Sequence, residues 1–185
     1  MPPKKQPSLL KVICSGRMLV ALLMGFSCGL PLLLTLSVLQ AWMKEEGVDL
    51  TVIGLMSLVG LPYTLKFLWA PFLDRFTLPS LGRRKGWLLV AQVALIFSIV
   101  ILGATDPGSH PWKVAIAAFL VTFFSASQDI VVDADRREDL PDEELGLGSS
   151  LYVNGYRMGM LLASGGGLIL ADHIPFSMVY LMMAA

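Results

Sequence analysis

Two aspartates, Asp129 and Asp133, close a long apolar run in FFSASQDIVVDADRREDLPDEE, residues 123–144. At ~100° per residue, positions four apart share one helical face. The pair therefore looks the same way, with Ser125 and Gln128 nearby. An ionisable group inside a bilayer is costly and is a functional candidate by default. Asp129 lies one turn, ~6 Å, deeper than Asp133. The deeper acid is expected to line a polar cavity, and a carboxyl whose proton affinity responds to burial is suited to proton coupling. Asp133 is expected to sit at the inner end of its helix and pair with Arg83, Arg84, Arg136 or Arg137, tying the bundle there.

Two bases are available to the deeper acid. Lys66 stands eight residues from Asp74, ~12 Å along a helix from its inner end. It either meets Asp129 or snorkels to the interface. Arg157 lies well inside a later apolar run, and a guanidinium facing a polar cavity suits a carboxylate-bearing solute. Gln40, Tyr63, Asn154 and Tyr156 are polar enough to bond a sugar, or to anchor helix ends. No metal spacing occurs. Cys14 and Cys28 stand about 20 Å apart if the stretch between them is helical, too far to bridge. His110 and His173 fall in short connections.

The elements that must carry these groups follow from hydropathy. The chain has 185 residues, 55% hydrophobic and 15% charged, against about 25% charged in a soluble domain. A bilayer core needs ~20 apolar residues of helix. The charges divide the chain into spans at about 18–43, 51–73, 86–105, 112–134 and 146–171, after an N-terminal segment 1–17. A sixth run starts at residue 176, and the sequence reads as stopping inside it at 185. The expected fold is an all-α membrane protein with five complete transmembrane helices and the start of a sixth. Pro31 is expected to kink the first helix and turn freed backbone groups onto a cavity.

Orientation follows from the bases. With the N-terminus inside, ten fall on the cytoplasmic side (Lys4, Lys5, Lys11, Arg17, Arg75, Arg83, Arg84, Lys85, Arg136, Arg137) and two outside, Lys44 and Lys113. The connections are too short to hold a soluble domain. A formal net charge of zero offers nucleic acid no attraction. An intramembrane aspartyl protease needs acids on two facing helices sharing one proton, whereas Asp129 and Asp133 share one helix, so no enzyme is expected. No cofactor is implied.

The connection DRFTLPSLGRRK, residues 74–85, carries Asp74, Arg75, Gly82, Arg83 and Arg84. Asp74 closes a helix against its dipole, which requires cations nearby. This loop resembles the G-x-x-x-D-R-x-G-R-R signature of the major facilitator superfamily, with Ala70 in place of the first glycine and a wider gap before Gly82. The strings GLPLLLTLSVLQAWMKEEGVDLTVIGLMSLVGLPYTLKFLWAPFLDR, GRRKGWLL, SASQDIVVDA and GYRMGMLLASGG are similar to the AmpG-type muropeptide permeases of that superfamily, over residues 25–185, including the widened gap. The resemblance implies the N-terminal half of a multi-pass transporter in the bacterial inner membrane. It implies proton symport of GlcNAc-anhydro-MurNAc, with or without stem peptide, for peptidoglycan recycling, and supply of the inducing signal where a β-lactamase is inducible. It also implies a missing C-terminal half that completes the site, and a glycine-rich fifth helix packed against that half. Acetyl-CoA transporters carry a similar QDI-VD string, so a related carrier of another small anionic solute stays open. So does a non-transporting fragment.

Overall fold

A computed structural model describes residues 13, 15–76 and 83–184, without the Arg83 side chain. The basic residues Lys4, Lys5 and Lys11 and the loop residue Gly82 lie outside the described residues. No strand occurs among the described residues. The elements are α1, Gly16–Glu45; α2, residues 50–75; α3, Arg83–Gly103; α4, Pro111–Asp139; α5, residues 142–171; and α6, Phe176–Ala184. Four stretches are long and apolar enough to cross a membrane: Gly16–Glu45, Leu50–Leu68, Arg84–Gly103 and Pro111–Asp139. The fifth helix is as long as the first but opens on three acids, Asp142, Glu143 and Glu144.

Proline decides where the helices deform. Pro31 has no N–H to donate, and α1 widens into a π-helical turn over Leu34–Val38. The Thr35 hydroxyl folds back onto the carbonyls of Pro31 at 2.9 Å and Leu32 at 3.1 Å. The buried Tyr180 hydroxyl of α6 donates to the Leu34 carbonyl at 2.9 Å. The carbonyls of Pro31, Leu32 and Leu34 are thus each bonded by a side-chain hydroxyl inside the bundle. In α2, Pro62 and Pro71 leave five short pieces, two of them 3-10 turns at Met56–Gly60 and Lys66–Leu68. Helix α4 repairs the first break, since the buried Thr122 hydroxyl donates to the Val59 carbonyl at 2.7 Å. It also anchors the second: Trp69 Nε1 donates to Ser127 Oγ at 3.1 Å, and the indole lies 4.9 Å from the Phe123 ring.

The two ends of the bundle are unlike. Leu34, Val38, Met43, Met56, Leu102, Val121 and Tyr180 belong to one continuous apolar cluster. It fills the end that holds the C-terminal half of α1 and the N-terminal half of α4. Trp42 stacks on Phe176 there, with ring centroids 5.9 Å apart. The opposite end carries Arg17, Arg84, Arg136 and Arg137, and its small core is Cys28, Val132 and Tyr152.

A glycine seam joins α1 to α5. A methyl group added at Gly25 or Gly29 would overlap the carbonyls of Tyr152 or Tyr156, and one at Gly155 or Gly159 would overlap those of Leu22 or Phe26. Backbones this close exclude every larger residue. Gly155 and Gly159 of the fifth helix thus pack on α1 of this bundle. Gly165 meets nothing within 4 Å.

Candidate functional site

Asp129 is 6% exposed, on the α4 face that looks toward α2. Its partner is Lys66, with Nζ 3.8 Å from Oδ2. The two prolines of α2 explain the meeting, because they place Lys66 at the start of a tight 3-10 turn. The other carboxylate oxygen, Oδ1, has no hydrogen-bond partner among the described residues. Gln128, one residue earlier, is fully buried and turns to α1: Nε2 donates to Ser27 Oγ at 3.1 Å and approaches Cys28 Sγ at 3.6 Å. Its Oε1 is also unpartnered, as are the buried hydroxyls of Tyr63 and Ser125. Tyr63 lies within electrostatic reach of Asp129, Tyr156 and Cys28. Helices α1, α2, α4 and α5 thus enclose one nest of polar groups around the ion pair. Four buried polar atoms with unused bonding capacity are costly in an apolar setting and fit a site built to receive another polar group.

Of the expected site residues, the structure gathers Asp129, Lys66, Gln128, Tyr63 and Tyr156. Arg157 is exposed and makes no ion pair among the described residues. It is two positions from both Gly155 and Gly159, which puts it about 160° around α5 from the seam. Among the described residues, the cation beside Asp129 is therefore Lys66. Gln40 is half-buried near the other end of α1, outside the nest. Asn154 is exposed and donates to the Ser150 carbonyl of its own helix at 2.9 Å.

The gating residues separate likewise. Arg84 Nη1 meets Asp74 Oδ1 at 2.6 Å, and its Nε and Nη2 meet Glu138 Oε1 at 3.1 and 2.6 Å. One guanidinium thereby joins the ends of α2, α3 and α4. Arg75 is exposed. Asp133 takes Arg136, three residues on in the same helix, at 3.0 Å, so the pair does not itself tie helices together. Arg136 does so through its face, which lies 4.2 Å above the Tyr152 ring of α5, a cation–π contact. Sequence reasoning passed over Glu138, Tyr152 and Cys28. Tyr152 could have been found from its place on the stripe Gly148–Tyr152–Gly155–Gly159. Nothing in the charge run singled out Glu138 from its neighbours.

A cavity of about 540 Å3 opens beside the nest at the arginine-rich end, between α2, α4 and α5, with Lys66, Asp133, Arg136 and Arg137 in its wall. An apolar bundle at one end, a charged clamp at the other and a polar pocket reached from the clamped end define a class: a multi-pass membrane protein with the build of one half of a solute carrier. The chain belongs to the Major Facilitator Superfamily, whose family model matches residues 16–185. It is 46% identical over 177 residues to the anhydromuropeptide permease of Escherichia coli K12, a match that covers 95% of this chain and 36% of that protein. A protein of Haemophilus influenzae is 44% identical over 177 residues, covering 96% of this chain and 42% of its own length. A transporter designated AmpG 1 in Rickettsia conorii is 36% identical over 174 residues, covering 92% and 42%. The chain thus spans well under half the length of these relatives.

Proposed function

We propose that the protein to which this chain belongs imports anhydromuropeptides across the bacterial inner membrane by proton symport, and that this bundle supplies one wall of the route. Import of GlcNAc-anhydro-MurNAc, with or without peptide, serves recycling of the cell wall and, in suitable hosts, β-lactamase induction. The observation that carries the proposal is the 46% identity over 95% of the chain to an anhydromuropeptide permease. The ion pair between the half-buried Lys66 and the buried Asp129 supports it chemically. A proton that neutralises Asp129 loosens its hold on Lys66, and a solute carboxylate can then take the ammonium. Charge on the solute and charge on the acid are thereby exchanged in one place. A carrier of this family forms its site between two halves near the midplane, so a second bundle completes the pocket. The bias of bases supports a cytoplasmic side for the N-terminus and the arginine-rich end. The protein acts as a carrier, not an enzyme.

The test is uptake of radiolabelled GlcNAc-anhydro-MurNAc by right-side-out vesicles carrying the protein at the full length of its relatives. Uptake should rise with an inward proton gradient and collapse with a protonophore. Uptake of acetyl-CoA in place of the disaccharide, or of neither, overturns the assignment.

A further inference from the structure

The acids that line the cavity between α2, α4 and α5 are each paired with a base. Asp74 lines it but is held by Arg84 at 2.6 Å. Asp133 lines it and is held by Arg136 at 3.0 Å. Lys66 closes its deep end against Asp129. Arg137 also lines it, is exposed, and has no ion-pair partner among the described residues. Arg84 serves both Asp74 and Glu138, so the local charges balance in number while the Arg137 guanidinium itself stays unpaired among the described residues. Arg136 is fixed beside it, its Nη2 bonded to Asp133 and its face on Tyr152, with a buried Nη1 that has no partner among the described residues.

We propose that Arg137 forms a carboxylate-binding station at the mouth of this cavity, a second anion site distinct from Lys66. It rests on the transport function proposed above and deepens it, naming a carboxylate-bearing solute as the class and the mouth as its last stop. Along α4, eight residues separate the level of Lys66 from Arg137, ~12 Å of rise. The solute carboxylate passes from the deep ammonium to the outer guanidinium as it leaves. A guanidinium presents a planar fork that matches a carboxylate. Phe67, Ile130 and Leu145 give the wall an apolar side and Ser149 a hydroxyl, and about 540 Å3 lies within the range of small-molecule sites. At an exposed guanidinium the hold is weak, which suits release.

The experiment is equilibrium binding of radiolabelled N-acetyl-alanyl-glutamate and of its uncharged diamide to the full-length protein in nanodiscs. The dicarboxylate should bind about tenfold more tightly than the diamide, the scale of one charge-assisted pair at a half-open site. Arg137→Gln should cut that preference to about twofold, and Arg137→Lys should keep part of it. Arg137 is exposed, so neither change threatens folding, and elution as a single size-exclusion peak checks that. Equal binding of the two probes by the unaltered protein, or an undiminished preference in Arg137→Gln, overturns the station. Failure of labelled disaccharide uptake, with the Arg137-dependent preference intact, overturns the muropeptide assignment and leaves the anion site standing.

Discussion

Replacing Asp129 with Asn separates what the ion pair does for the fold from what it does for transport. At 3.8 Å, two unit charges attract by about 1 kcal/mol in water and about 4 kcal/mol at an effective dielectric of 20. Breaking a fully buried pair costs about 3–5 kcal/mol, mostly because the remaining charge is stranded. The Lys66 side chain keeps 35% of its surface exposed, so its ammonium recovers some water and Asp129→Asn should cost about 2 kcal/mol. Adding Lys66→Met removes the stranded charge. Lys66→Met/Asp129→Asn should therefore recover at least ~1 kcal/mol relative to Asp129→Asn alone. Thermal unfolding of the full-length protein in detergent, followed by fluorescence-detected size exclusion, reads this as a fall of a few degrees and its partial reversal. Proton-driven disaccharide uptake should be lost in both variants. A double variant no more stable than Asp129→Asn refutes the stranded-charge account. Unchanged proton-driven uptake in Asp129→Asn removes the acid from the coupling role.

Gly155→Ala should destabilise by about 1–3 kcal/mol, the range for forced overpacking, because its methyl meets the Leu22 backbone; Gly165→Ala, in open space, should leave thermal unfolding unchanged. Thr122→Val leaves the Val59 carbonyl of α2 without its donor and should cost about 1–2 kcal/mol in the same assay. Arg84→Ala releases Asp74 and Glu138 together and should lower the unfolding temperature in the same assay, whereas Arg75→Ala should not. Ser109 holds the exposed Asp106 carboxyl below the ordinary carboxylate range, through its hydroxyl and its amide. A folded pKa below the unfolded one stabilises above the unfolded value, and that stability is lost as pH falls through the folded value. Ser109→Ala should move the Asp106 titration upward by NMR and shift the onset of acid unfolding to higher pH.

How far the sequence could be read depended on whether a feature belongs to one helix or to two. The long helices follow from hydropathy, and the depth of Asp129 and Lys66 follows from counting residues from their helix ends, so their meeting was foreseeable. Arg157 shows the limit. Its depth was equally readable, but the direction it faces depends on where α1 lies, and that is settled by glycines whose partners are more than a hundred residues away. The same holds for the widened turn after Pro31. The proline is a local fact, whereas the Tyr180 hydroxyl that bonds the Leu34 carbonyl there comes from 146 positions further on. Asp133 was half legible: of the four arginines expected as partners it takes Arg136, in its own helix, so the pair forms without tying helices together.

The unequal ends of the bundle carry a consequence for how the pocket opens. Beyond the polar nest, toward Trp42 and Phe176, the helices interlock through Leu34, Met56, Val121 and Tyr180 without a charged group. Such contacts exclude water and resist a small displacement, because dispersion falls steeply with separation. At the other end, Arg84 and Arg136 hold helix termini by directed contacts, which leave a cavity of about 540 Å3 between them. Water therefore reaches Lys66 and Asp129 from the arginine-rich side. For the opposite side to open, an apolar surface must part that gains nothing from hydration, so the contacts that replace it must come from outside this bundle. In the carrier proposed above, a half with one sealed end and one polar mouth would open each way by rocking against a second body, with the Lys66–Asp129 pair fixed at its level.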